Sequence, residues 1–139
     1  MLRASGDDLD RLVAALDDLA TRAPDRMLRA MSRAGDDLIR EGFDRSRAPS
    51  GVAWKPLRAP RSRRRPGRRP LVDTGQLRAW ASHAKVSGTT ATWDAPGYGA
   101  FHQLGTSRIP ARPFLPPGRL PRVWEIRLAH VAETSLPLR

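Results

Sequence analysis

The chain has 139 residues, a length that favours one domain with a core of modest size. It contains no cysteine, which excludes disulfides and thiolate metal sites. The formal net charge is +11, and residues 45–80 supply most of it with 11 Lys and Arg against one acid. A positive field this localised attracts polyanions or acidic protein surfaces. No signal peptide and no apolar run of about 20 residues is found, so we expect a soluble protein made in the cytoplasm.

Two amphipathic helices are predicted in the first 44 residues. Ser5 can cap the first of them, and apolar residues recur at helical spacing from Leu9 to Leu19. Pro24 marks the break and suits the first turn of the second helix, which should run to about Asp44. Together they predict a helical hairpin or one long kinked helix. The second helix carries a stripe typical of ordinary core: Met27, Met31, Ala34 and Leu38, with Leu28, Ile39 and Phe43 beside it.

The helical period vanishes after Arg45, and a basic extended loop is predicted at about residues 45–72. Prolines recur there, and six arginines crowd nine positions: Arg61, Arg63, Arg64, Arg65, Arg68 and Arg69. Like charges this close repel one another, and no apolar residue among them offsets the ordering entropy. We therefore expect a flexible or extended arm unless a partner holds it.

The second half of the chain predicts short elements. Thr74 is a good N-cap for a helix to about Ser82 that would bury Leu77 and Trp80. Residues 84–87 and 91–94 predict a β-hairpin. Tyr98–Leu104 predicts a short helix ended by Gly105, a proline-rich extended segment follows, and a last helix should run from Pro121 to about Ser135. The fold class expected is α+β, in a single domain spanning residues 1–139.

Enzyme chemistry is not indicated. His83, His102 and His130 lie far apart and form no metal-ligand spacing, and the acidic residues fall on solvated helix faces. A nucleophile elbow, a phosphate loop and a dinucleotide fingerprint are absent from the sequence. We expect no catalytic residue, no metal and no cofactor.

The densest cluster of unusual residues surrounds His102. This residue is interpreted as an imidazole hydrogen-bonded at a helix end, with a ligand or pH-switch role as the alternative. Gln103 is interpreted as a polar clamp on nearby backbone. Trp54 and Phe114 are interpreted as anchors, because large apolar groups on extended segments need a pocket, whether in the same chain or in a neighbour.

Four short motifs follow one another in a fixed order. They are a Ser-Gly-x-x-Trp-x-Pro-Leu element at 50–57, Leu-x-x-Thr-Gly-x-Leu at 71–77, Tyr-x-x-x-His-Gln-x-Gly at 98–105, and Pro-Ala-Arg-Pro-Phe-Leu at 110–115. Their order and spacing over about residues 45–115 resemble the phage virion morphogenesis family, the tail completion proteins of contractile-tailed phages. The terminal helices match only in type. The chain departs from the family pattern at two places. One is the arginine- and proline-rich loop, and the other is Gly99, where the resemblance leads us to expect alanine.

The resemblance implies a structural virion protein that is not an enzyme. It would complete the tail or join it to the head at the neck, near the tail terminator, after assembly in the host bacterial cytoplasm. It implies a ring, and the sixfold symmetry of contractile tails makes six copies the natural number. The expected partners are other copies of the chain and other phage neck and tail proteins, with no membrane. The residues expected at the subunit or partner interface are Trp54, Tyr98, His102, Gln103, Arg112 and Phe114.

The six arginines between Arg61 and Arg69 are the expected contact with a polyanion. Either DNA in the lumen of the ring or an acidic surface of an adjacent protein would compensate their charge. We favour the protein surface, since the prolines favour an extended strap. The alternative function is non-specific nucleic-acid binding through the same arginines, although the loop lacks interleaved aromatics for base stacking.

Overall fold

The computed structural model describes residues 6–57, 69–72 and 75–135. These residues form an α+β fold, as expected, with four helices and one small antiparallel sheet. The helices are α1 (Gly6–Arg45), α2 (Gln76–Ala81), α3 (Gly97–Leu104) and α4 (Arg122–Ser135). The strands are β1 (Lys85–Ser87) and β2 (Thr90–Thr92), which pair so that Val86 lies opposite Ala91.

The N-terminal region is one continuous helix of 40 residues, so of the two predicted alternatives the long helix is confirmed and the helical hairpin is wrong. Pro24 lies inside α1 and does not end it. A proline in a helix interior costs about 3 kcal/mol, yet a reversal of the chain would need turn residues here. The sequence offers no glycine between Gly6 and Gly35, which favours continuing the helix. The expected cap Ser5 lies outside the described residues.

The core surrounds the C-terminal half of α1. Its buried apolar residues come from three helices and two irregular segments: Leu38, Ile39, Phe43, Trp54, Leu77, Ala81, Phe114, Trp124 and Leu128. Met31 and Ala34 pack against this core, whereas Met27 and Leu28 line a groove of about 290 Å³ beside the hairpin turn. The predicted core stripe is therefore confirmed for the part of α1 from Met31 onward.

Helix α2 buries a different face from the one predicted. Leu77 is buried as expected, but Trp80 is 53% exposed, so its predicted burial is wrong. Ala81, one turn after Leu77, completes the buried face of this six-residue helix instead. The helix begins after Gly75, whose φ of 79° is left-handed, and the predicted cap Thr74 lies outside the described residues.

Both ends of the hairpin are fixed to Asp36 of α1. The Asp36 Oδ1 atom accepts hydrogen bonds from Trp93 Nε1 at 2.7 Å and from the Ala84 amide at 2.9 Å. The Trp93 ring lies directly on Gly35, where an added Cβ would overlap it. A glycine in α1 thus makes room for the ring that positions the sheet.

Two bidentate ion pairs join other helices to α1. Arg127 of α4 donates two hydrogen bonds to the Glu41 carboxylate, at 2.7 and 2.8 Å, and Arg78 of α2 donates two to Asp44, both at 3.0 Å. These hydrogen bonds hold the pKa of each carboxyl below its ordinary value. All four side chains are partly exposed, so the pairs orient the helices more than they stabilise the fold.

Candidate functional site

Three of the four sequence motifs meet at one place, here called the motif junction and formed by residues 50–57, 98–105 and 110–115. Phe43 of α1 lies at its centre. The Phe43 ring packs edge-on against Trp54 and at a tilt against Phe114, with 5.5 Å between ring centroids in both pairs. The junction is therefore built around a three-ring aromatic cluster.

Trp54 fastens the first motif to the last. Its Nε1 donates to the Pro113 carbonyl at 2.8 Å, and its amide donates to the Ser46 carbonyl at 2.8 Å. Trp54 and Phe114 are only 6% and 3% exposed, so the pocket that holds each ring belongs to this chain. Little of either ring is left for a neighbour in this conformation. A contact of Trp54 or Phe114 with another subunit stays a prediction.

Arg112 holds the backbone that follows Trp54. Its Nε donates to the Lys55 carbonyl at 2.8 Å and its guanidinium also reaches the Pro56 carbonyl at 3.2 Å. The side chain is buried, which lowers its pKa. The interface role expected of Arg112 is untested, and the geometry gives it a second role that the sequence did not indicate.

Gln103 clamps backbone, as its interpretation predicted. Its Oε1 accepts hydrogen bonds from the amides of Phe114 and Leu115, at 3.0 and 3.1 Å. Its Nε2 donates to the Leu115 carbonyl at 2.7 Å. One side chain of α3 thus satisfies three backbone groups of the proline-rich segment, where no regular ladder could do so.

His102 positions the same segment through its backbone. Its carbonyl accepts the Arg112 amide at 2.7 Å, whereas its side-chain Nδ1 is buried and makes no hydrogen bond among the described residues. The expected imidazole hydrogen bond is therefore not found at that atom. Burial, and then the charge of Arg112, lower the pKa of His102, so the fold favours the neutral ring. A ligand or pH-switch role stays a prediction.

The opposite face of α3 is apolar and exposed. Tyr98, Phe101 and Leu104 recur every three residues, and all three are exposed, with Leu104 the most at 75%. Phe101 and Leu104 were not among the expected interface residues, although this spacing was a readable signal. Helix α3 therefore directs His102 and Gln103 towards the chain and presents an apolar stripe outward.

Gly99 lies on the buried side of α3, which accounts for the absence of the expected alanine. A Cβ added there would meet Ala95 Cβ at 2.8 Å and Leu77 Cδ1 at 3.2 Å. Both distances are shorter than ordinary van der Waals contact. The close approach of α3 to α2 at this point leaves room only for glycine.

The expected basic arm divides into two parts. Residues 46–57 are folded rather than extended, because Trp54 buries enough apolar surface to order them. Here Arg47 and Ala53 form an isolated antiparallel bridge around a turn at Gly51. Arg69 is described, exposed, and donates to the Asp44 carbonyl at 2.8 Å. The other arginines of the cluster lie outside the described residues: Arg61, Arg63, Arg64, Arg65 and Arg68.

The described residues contain neither a metal-binding cluster nor a helix able to span a membrane. No group of three or more His, Asp or Glu side chains in this part of the chain could hold a metal ion. None of the helices described is both long enough and apolar enough to cross a membrane.

The family comparison agrees with the motifs. The sequence model of the phage virion morphogenesis family matches residues 5–122, which include α1 and all four motifs and end at the start of α4. No curated protein and no solved structure matches the chain. The matched region is wider than the 45–115 on which the resemblance rested, and it covers most of the chain. The chain therefore belongs to the phage virion morphogenesis family and is a phage morphogenesis protein.

Proposed function

We propose that this protein is a non-enzymatic structural component that completes the phage tail or joins it to the head. It acts at the neck of a contractile-tailed particle as a ring, for which six copies match the tail symmetry. The family supports a role in virion morphogenesis, and the place and the ring are the parts proposed.

The observation that carries the proposal is the division of α3 into two faces. Gln103 binds three backbone groups of the chain itself, so the helix is held rigidly. Tyr98, Phe101 and Leu104 face solvent on that rigid support. An exposed apolar patch held in fixed geometry is typical of a protein–protein interaction site.

The test is complementation of a phage, or phage-like particle, from which the gene has been deleted. Lysates without the protein should contain filled heads and separate tails, and expression of the parent chain should restore joined particles under the electron microscope. Complete particles in the deletion lysate would refute a completion role, and so would a block before heads or tails form.

The α3 stripe gives the matched variants for that assay. Phe101→Ser with Leu104→Ser should leave the fold unchanged, because both side chains are exposed, but should impair joining. Val52→Ser with Val86→Ser removes two exposed valines elsewhere and is the control. If both double variants complement the deletion equally well, the exposed stripe of α3 is not part of the interface.

The arginine cluster is proposed to meet an acidic surface of an adjacent virion protein. Replacing the six arginines from Arg61 to Arg69 with serine should leave the fold intact and impair joining. Arg69→Ser alone is the control, since Arg69 also contacts the Asp44 carbonyl. If the six-site variant joins heads to tails as well as the parent does, the cluster serves only to keep the protein soluble and this contact is wrong.

The salt dependence of DNA binding separates this proposal from the nucleic-acid alternative. A DNA-binding role predicts an affinity that falls by about 0.9 in log–log slope for each phosphate neutralised. Contact with an acidic protein predicts no tight binding of DNA by the purified chain at physiological salt. If the salt dependence of DNA affinity corresponds to several neutralised phosphates, and the six-site variant loses it, the nucleic-acid-binding alternative is favoured.

A further inference from the structure

The first half of α1 extends away from the core. The helix of 40 residues is about 60 Å long, and its core residues begin only at Met31. Every side chain that the structure describes between residues 10 and 25 is exposed. We call residues 6–25 the α1 arm.

The α1 arm is both apolar and acidic. Val13 and Leu16 are 64% and 55% exposed, one turn apart, and the sequence continues their spacing with leucines at 9, 12 and 19. The same residues contain six aspartates and only two arginines, a net charge of −4 in a chain of +11. A helix with an unpartnered apolar stripe is marginal in water and gains stability by packing it.

A second exposed patch lies on the outer side of α4. Trp124 and Leu128 face the core, and Val123 and Ile126 point the other way, 70% and 58% exposed. Exposed Leu120 extends this apolar surface, and exposed Arg119 and Arg122 flank it, with Glu125 half-buried nearby. We call the set Arg119, Leu120, Arg122, Val123 and Ile126 the α4 patch.

We propose that the α1 arm docks on the α4 patch of a second copy of this chain. The arm is acidic and the patch is flanked by arginines, so their charges are complementary around two apolar stripes. The same contact cannot form within one chain, because α1 is continuous and α4 packs its inner face on the C-terminal half of α1. A symmetric arm–arm contact would instead bring two segments of net charge −4 together.

This contact rests on the proposed ring and specifies how neighbours meet in it. Two different surfaces on each chain make a heterologous interface, which repeats from copy to copy and closes when the rotation fits. The exposed stripe of α3 is not used, so it stays available for another virion protein.

Mixing two variants tests the contact directly. Val13→Ser with Leu16→Ser disables the arm, and Val123→Ser with Ile126→Ser disables the patch. Each variant alone should be monomeric in sedimentation velocity at about 100 µM, a concentration that populates contacts with a Kd of that order or tighter. An equimolar mixture should form dimers and nothing larger, because each variant retains one intact surface and lacks the other.

The parent chain and a control double variant complete the experiment. The parent should self-associate at the same concentration, and so should Val52→Ser with Val86→Ser. The association should weaken as salt is raised, because the Debye length falls from about 10 Å at 0.1 M to about 3 Å at 1 M. Thermal melting of all variants should match the parent, since the substituted side chains are exposed.

Three outcomes would overturn the proposal. A monomeric parent at this concentration would mean that the two surfaces do not bind each other. Self-association of the patch variant would indicate an arm–arm contact, and self-association of the arm variant would place the contact elsewhere. If the gene is needed for joining but both variants complement as well as the parent, the proposed function stands and this contact is wrong.

Discussion

Replacing Gln103 with alanine should destabilise the fold by about 3 kcal/mol. The change removes three hydrogen bonds to the backbone of Phe114 and Leu115, each worth about 1 kcal/mol net in a partly buried site. It also leaves two amides and one carbonyl without the partner that the fold provides. For a chain of 139 residues, a loss of that size lowers Tm by roughly 10 °C.

The measurement is urea unfolding followed by tryptophan fluorescence, with thermal melting beside it. Ser107→Ala is the control, because this polar side chain is close in sequence and exposed, so its replacement should change stability by about 0.5 kcal/mol or less. A loss below 1 kcal/mol for Gln103→Ala would mean that water replaces the clamp at little cost. The clamp would then not be what holds the proline-rich segment.

The isosteric variant Gln103→Glu separates the two halves of the clamp. In the variant, one carboxylate oxygen can still accept hydrogen bonds from the amides of Phe114 and Leu115. The other oxygen would face the Leu115 carbonyl, which in the parent accepts a hydrogen bond from Gln103 Nε2. The folded state should therefore favour the protonated acid and raise its pKa above the unfolded value. The stability of this variant relative to the parent should be highest at low pH and should fall as pH rises through the folded pKa, whereas a loss that does not depend on pH would contradict the geometry.

Two further predictions concern packing and pH. Gly35→Ala should lower the free energy of unfolding by about 1–3 kcal/mol, because the added methyl group overlaps the Trp93 ring. Gly118→Ala is the control in the same unfolding assay and should be close to neutral, because the space around Gly118 is open. Because burial lowers the pKa of His102, stability should be full above its ordinary pKa of 6.5 and decline as pH falls below that value. The variant His102→Asn should flatten this decline below about pH 6.5, and His83→Asn, which replaces an exposed histidine, is the control. Equal slopes in both variants would show that His102 is not the cause.

The short elements could be predicted because their signals are local. Helix α3 ends at Gly105, whose φ of 74° a residue with a side chain rarely adopts, and α4 begins after Pro121, whose carbonyl accepts the Glu125 amide. The continuity of α1 was not determined by such signals. Pro24 is compatible with a helix start and with a helix interior, and only the surrounding sequence and packing decide between them.

The interior of the motif junction could be predicted only in part. Gln103 binds backbone only 11 and 12 residues away, in the next motif along the chain, so its clamp could be inferred from the local sequence. The bonds of Arg112 to Lys55 and Pro56 span 57 and 56 residues, and nothing in either motif alone indicates that they meet. The ion pair between Glu41 and Arg127 spans 86 residues and was missed for the same reason.

The polar residues of the motifs bind the chain's own backbone, which limits what the motifs can say about partners. Gln103 and Arg112 direct their side-chain hydrogen bonds to backbone groups of the junction, so they specify a fold. We therefore propose that the choice of partner is carried by exposed residues such as Phe101 and Leu104, by the α1 arm and by the arginine cluster. Substitutions of Gln103 and Arg112 should therefore reduce stability and assembly together, whereas substitutions of the exposed residues should reduce assembly alone. A variant of Gln103 or Arg112 that keeps full stability but fails to join heads to tails would show that this separation is wrong.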